Sequence, residues 1–78
     1  MSTFDRINLC LDNLFGKKAE SEDQSFTDDL NLDSLDIYEL SFELEDEFCL
    51  VIPAEDYADG QITTVRQAVE YIDKALDK

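Results

Sequence analysis

One hydroxyl is placed for chemistry in the stretch NLDSLDIYELSFELEDEF, residues 31–48. Ser34 follows Asp33 and is itself followed by Leu35, Asp36, Glu39, Glu43 and Glu47. A serine nucleophile needs a base within hydrogen-bond reach, and the chain contains no histidine. Serine-hydrolase chemistry is therefore excluded. A lysine base would have to be Lys17 or Lys18, which fall in a loop. A Gly-rich phosphate loop is also excluded, because Gly16 and Gly60 are the only glycines. Ser34 is thus either a plain first-turn residue of a helix or a group on which another protein acts. No catalytic residue is assigned, and an intrinsic enzyme is not expected.

The acids around Ser34 invite a metal reading, which fails on spacing. Counted from Asp29, DDLNLDSLDIYE puts Asn31 and Asp33 at the third and fifth positions of a calcium loop. Ser34 then stands where the loop needs glycine, and Leu40 where it needs glutamate. Counted from Asp28, Glu39 closes the loop but Leu30 takes the third position. What remains is weak surface attraction for divalent cations. Cys10 and Cys49 form no CxxC and have no histidine to join them, so no zinc site is expected. Reduced thiols and a cytoplasmic location are the expectation.

Helices must position Ser34. Phe4, Ile7, Leu11, Leu14 and Phe15 recur at steps of three and four, which predicts a first helix over residues 3–15. Cys10 falls beside this face as a small core residue. Ser2 with Asp5 reads as a capping box, and Gly16 as the residue that ends the helix. Residues 17–33 form a long polar connector in which Phe26, Leu30 and Leu32 are the anchors. Ordered loops of this length are often functional.

The second helix is expected over residues 34–48, with Asp33 as its N-cap. Leu40, Leu44 and Phe48 form its core stripe, flanked by Ile37 and Ser41. At 100° per residue, Asp36, Glu39, Glu43 and Glu47 gather on another face, with Asp46 at its edge. Like charges at this spacing cost a few tenths of a kcal/mol per pair, so the stripe does not serve the helix. Solubility would not require one sign along one stripe, whereas a partner with a basic patch would. Pro53 permits a short third helix over residues 54–59, ended by Gly60. The last helix follows Thr64, capped with Gln67, and buries Val65, Ala68, Val69, Ile72 and Leu76. The expected fold is all-α, a four-helix bundle with a short third helix and a long loop between helices 1 and 2, in one domain over residues 1–78.

The bulk composition sets limits on partners. Twenty acidic residues against six basic ones give a formal net charge of −14. Phosphates repel such a surface, so neither nucleic acid nor an anionic membrane is an expected partner. Basic protein surfaces are favoured, met in fast and salt-sensitive encounters. The start MSTFDRINLCLDNLF has neither the basic opening nor the unbroken apolar run of a signal peptide. No run approaches the roughly 20 apolar residues of a membrane span, so membrane insertion is not expected.

Taken together, the motifs resemble the acyl carrier proteins. DSLD at 33–36 opens an acidic helix, followed by YELSFELEDEF, by IP at 52–53 and by ITTVRQAVEYI at 62–72. The triplet DSL alone is weak. The segments in this order, in a chain of this size and acidity, are specific, and they cover most of the chain. The resemblance implies a carrier of acyl groups for fatty acid, lipid or polyketide-type biosynthesis. A phosphopantetheinyl transferase would join the Ser34 hydroxyl to 4′-phosphopantetheine through a phosphodiester, with Asp33, Leu35 and Asp36 completing the motif. The arm's thiol would hold the cargo as a thioester. The transferase would supply base, coenzyme A and magnesium, which explains a serine with no base beside it.

By the same resemblance, Asp36, Glu39, Glu43 and Glu47 would dock on basic patches of synthases, reductases and acyltransferases, with the carrier itself a monomer. Three departures stand out. Asn31 and Leu32 replace a small Gly-containing pair. Tyr38 and Phe42 are aromatic where aliphatics are usual, and would restrict long chains if they faced the space between helices. PAEDYADGQI, at 53–62, is slightly long, with a bulky Tyr57. These departures point toward a specialised cargo. Two other readings stay open: a carrier of amino acids or peptides, usually less charged on this helix, and an acidic interaction module that is never modified.

Overall fold

The computed structural model describes residues 2–53 and 62–77. Among them are three helices, α1 (Thr3–Phe15), α2 (Ser34–Phe48) and α3 (Val65–Leu76), and the fold is all-α. The short helix expected over residues 54–59, with Gly60 at its end, lies outside the described residues, as does Tyr57.

Each helix begins where its capping chemistry dictates. The Ser2 hydroxyl accepts from the Asp5 N–H at 3.1 Å and opens α1. Asp33 and Asp36 cap α2 reciprocally: the Asp33 carboxylate accepts from the Asp36 N–H at 2.9 Å, and that of Asp36 from the Asp33 N–H at 3.2 Å. Thr64 and Gln67 do the same for α3. These bonds satisfy amide groups that a helix start leaves without an internal acceptor. At the other end of α1, Gly16 takes the left-handed conformation (φ 66°) and its N–H reaches the Asp12 carbonyl.

Helix α1 packs against both α2 and α3. Its N-terminal half meets the C-terminal end of each, so it runs antiparallel to both. Two contacts mark this: Arg6 with Glu47 on α2, and the Thr3 hydroxyl donating to the Asp73 carboxylate on α3. Arg6 donates to the Glu47 carboxylate at 2.9 Å and to the Glu47 carbonyl at 2.8 Å, and stacks 4.2 Å above the Phe48 ring. Helix α2 carries no basic residue in its last turn. Arg6 supplies the missing cation from the neighbouring helix, where the α2 carbonyls concentrate negative charge.

Ile7, Cys10, Leu11, Phe26, Val65, Ala68 and Ile72 are the most deeply buried apolar residues. Leu14 and Leu76, expected in the core, are 37% and 47% exposed. Both sit in the last turn of their helix. Because Thr3, the first residue of α1, already meets Asp73, Leu76 projects beyond the end of its partner.

The 17–33 segment is more firmly held than a solvated connector. Ala19, Phe26, Leu30 and Leu32 are buried. The Asn8 side chain bonds both backbone groups of Ala19, and Lys17 donates to the Leu30 carbonyl at 2.7 Å. The segment also runs beside the entry to α3. Phe26 N–H donates to Thr63, Val65 N–H to Gln24 and Arg66 N–H to Glu22, around an antiparallel bridge between Ser25 and Thr64. No described helix is long and apolar enough to cross a membrane.

Candidate functional site

The site is built outward from the start of α2. Leu30 and Leu32 are both buried, and the backbone turns at the residue between them. Asn31 makes this turn at φ 59°, the left-handed region usually reserved for glycine. Asparagine is among the few other residues that enter it readily. The Leu32 N–H then bonds the Phe26 carbonyl at 3.0 Å, which fixes the approach to the Asp33 cap. Asn31→Gly should accordingly melt within a degree or two of the parent. Asn31→Val should lose about 1–2 kcal/mol, seen as a thermal midpoint lower by roughly 4–8 °C per kcal/mol.

Ser34 is the first residue of α2 and is exposed. Its hydroxyl forms no hydrogen bond among the described residues. Lys17, the nearest thing in the sequence to a base, is committed to the Leu30 carbonyl instead. The two flanking aspartates are occupied by capping one another, so their carboxylates have a local reason to be there. Leu35 points to solvent at 72% exposure.

Seven residues bring a helix back to nearly the same direction, about 10 Å further along. Ser41 therefore lies on the Ser34 side of α2, with Ile37 between them. Ile37 and Ser41 line an apolar pocket together with Phe26, Leu40, Leu44, Ile52 and Ile62. Its empty volume is about 300 Å³ with its open mouth included. Ser41 is the one hydroxyl in the lining, and it donates to the Tyr38 carbonyl at 2.7 Å. Among the described residues the lining thus presents no buried polar atom without a hydrogen-bond partner. Tyr38 and Phe42, at 42% and 64% exposure, lie on the outer side of α2 and are absent from this lining. The restriction expected of them inside the helices does not arise.

The acidic stripe divides in two. Glu47 is drawn into the α1 seam by Arg6, each side chain being 34% exposed. Glu43 is half-buried on the same seam. Asp36 closes the cap. Glu39 is exposed, and so is Asp46 seven residues later on nearly the same line. The sequence pattern placed Asp46 only at the edge; its accessibility depends on α1 lying along the other side.

The cysteines offer no second site. Burial, reinforced by the carboxylates of Glu47 and Glu43, pushes the Cys10 thiol up to about 11, against a smaller opposite pull from Arg6. A thiol that stays protonated at neutral pH is a poor nucleophile and metal ligand. Cys49 is exposed at the end of α2. Among the described residues no cluster of acids, cysteines or histidines could hold a metal ion. The family model described as "Phosphopantetheine attachment site" matches this chain over residues 10–72.

Proposed function

The chain belongs to the family defined by the phosphopantetheine attachment site, which takes covalently bound 4′-phosphopantetheine, and on that premise we propose that it is an acyl carrier protein with the arm on Ser34. The observation that carries this reading is the position of Ser34. Its hydroxyl is in water at a helix start, about one turn along the helix from Ile37, where the lining of an apolar pocket begins. The arm contributes a terminal thiol that carries cargo as a thioester. Everything else is done by the chain itself. The first turn of α2 favours the anionic phosphodiester through its amide groups and dipole. The mutual capping of Asp33 and Asp36 ties up part of the negative charge that would oppose it.

In loading, the Ser34 oxygen displaces the nucleotide portion of coenzyme A at phosphorus, and the transferase takes the serine proton. The carrier is a substrate in that step and is itself non-catalytic. The domain is a single, monomeric four-helix bundle spanning residues 1–78. Its partners are the phosphopantetheinyl transferase and acyl synthases and acyltransferases with basic patches, met through the exposed acids Glu39 and Asp46, while Asp36 is held in the cap and Glu43 and Glu47 lie on the α1 side. The open side of that stripe, at Glu39, is the leading edge.

The pocket favours acyl over aminoacyl or peptidyl cargo. An amide or ammonium group entering it would lose water and find, among the described lining residues, only the Ser41 oxygen as an acceptor, so each polar group left unpaired would cost about 1–3 kcal/mol. A methylene entering it gains about 0.8 kcal/mol. With Tyr38 and Phe42 outside, pocket depth rather than aromatic bulk limits the chain, which suits fatty acid or lipid synthesis. The reading is tested by incubating the protein with a broad-specificity transferase and coenzyme A and looking for one added phosphopantetheinyl group by intact mass.

A further inference from the structure

One wall of the pocket is held in a way that the carrier role does not by itself explain. After α2 the chain turns sharply to bring Ile52 back to the pocket that Leu44 also lines, and Glu45 organises that turn twice over. Its carbonyl accepts from the Cys49 N–H and from the Leu50 N–H, the latter at 3.2 Å, with Cys49 in the left-handed conformation at φ 56°. Its carboxylate reaches past the turn to accept the Ile52 N–H at 2.7 Å. Ile52 is 5% exposed and lines the pocket. Pro53 follows, with no N–H to offer as a further tether. Glu45 stands apart from the outer acids: it is half-buried and its carboxylate is turned to the chain's own backbone rather than to a partner.

We propose that Glu45 is a positioning residue for the cargo: its carboxylate sets the Ile52 wall of the pocket and thereby governs how well an acyl chain is retained and shielded. The proposal rests on the carrier reading. A thioester whose chain leaves the pocket stands in water on an extended arm. One whose chain is seated against Ile52 is drawn toward the protein and sheltered from small nucleophiles. Removing the carboxylate frees the Ile52 amide and lets the wall drift, while α2 keeps its backbone bonds. Glutamine keeps an acceptor oxygen at the same reach, so it should restore the wall where alanine cannot.

The test uses the full chain, carrying the arm and loaded with saturated acyl chains of increasing length. Attachment of the arm is verified first by mass. Thioester cleavage by hydroxylamine is then timed for the parent, Glu45→Ala, Glu45→Gln and Ile7→Val, the last a core change away from the pocket that controls for lost stability. In the parent, cleavage should slow as the chain lengthens. Glu45→Ala should erase that protection for chains long enough to enter, speeding cleavage about fivefold, the scale of one lost hydrogen bond. Glu45→Gln and Ile7→Val should keep it. The inference is overturned if Glu45→Ala protects like the parent at every length, if the parent shows no length dependence, or if Ile7→Val loses protection equally. Absence of the arm on the parent would be a failure of the carrier reading itself, visible before any cleavage is timed.

Discussion

Reversing two charges, Glu39→Lys with Asp46→Lys, should slow loading by the transferase about tenfold or more at low salt while leaving the thermal midpoint almost unchanged. Both side chains are exposed on one line of α2, and neither is tied to α1 as Glu47 is. Their field acts on encounter, where steering by charge changes association rates by about 10 to 10³. Their effect on folding is small, because substitutions at open surface positions usually stay within about 0.5 kcal/mol. A lysine at 46 also lies near the C-terminal end of α2, where a cation is favoured. The parent's loading rate should fall as salt rises toward physiological strength, where the Debye length is about 8 Å, and the variant's rate should respond less. The comparison variant is Arg6→Gln, which frees Glu47 without changing the outer line and should load at nearly the parental rate. Equal loading by the double reversal across low and moderate salt would remove the acidic line from partner docking.

Phe26→Ala should largely unfold the domain. Phe26 is 1% exposed, and it belongs at once to the long loop, the core and the pocket lining. Truncating a buried phenylalanine costs about 3–5 kcal/mol. A domain of 78 residues holds only roughly 4–12 kcal/mol in total, and self-repulsion at −14 pushes it toward the lower end. The thermal midpoint followed by far-ultraviolet circular dichroism should fall by roughly 15 °C or more. Added salt should restore part of it by screening that repulsion. A midpoint within a few degrees of the parent would mean that the loop is an ornament on the bundle.

What could be read from the residues was mostly local. The starts of all three described helices followed from Ser2, Asp33 and Thr64, because a cap is a bond between residues two or three apart. The Ile7 and Leu11 face of α1 and the Ile72 face of α3 followed from periodicity. The sequence was less informative where an outcome depended on what lies across a gap. The angle of Glu47 on its helix was correct, but Arg6, forty-one residues earlier, decides that it faces α1 rather than a partner. The apolar anchors of the loop were visible, yet the backbone pairing at Ser25 and Thr64 was not, since no alternation of residue types marks a single bridge. Asn31 stood out in the sequence as a departure from a small Gly-containing pair. Its left-handed backbone shows instead a residue that does what glycine would do there. Tyr38 and Phe42 could not be placed from type alone, because an aromatic on an amphipathic helix fits either a core or an outer face.

The central claim, that Ser34 is where the arm is attached, is tested most directly by intact mass followed by fragmentation of the product. Parent protein and Ser34→Ala would be incubated side by side with transferase and coenzyme A. The parent should gain one phosphopantetheinyl group, mapped to residue 34, and Ser34→Ala should gain none while keeping its helical circular dichroism. Addition to folded Ser34→Ala, or a group mapped to any other serine or threonine of the parent, would contradict the assignment.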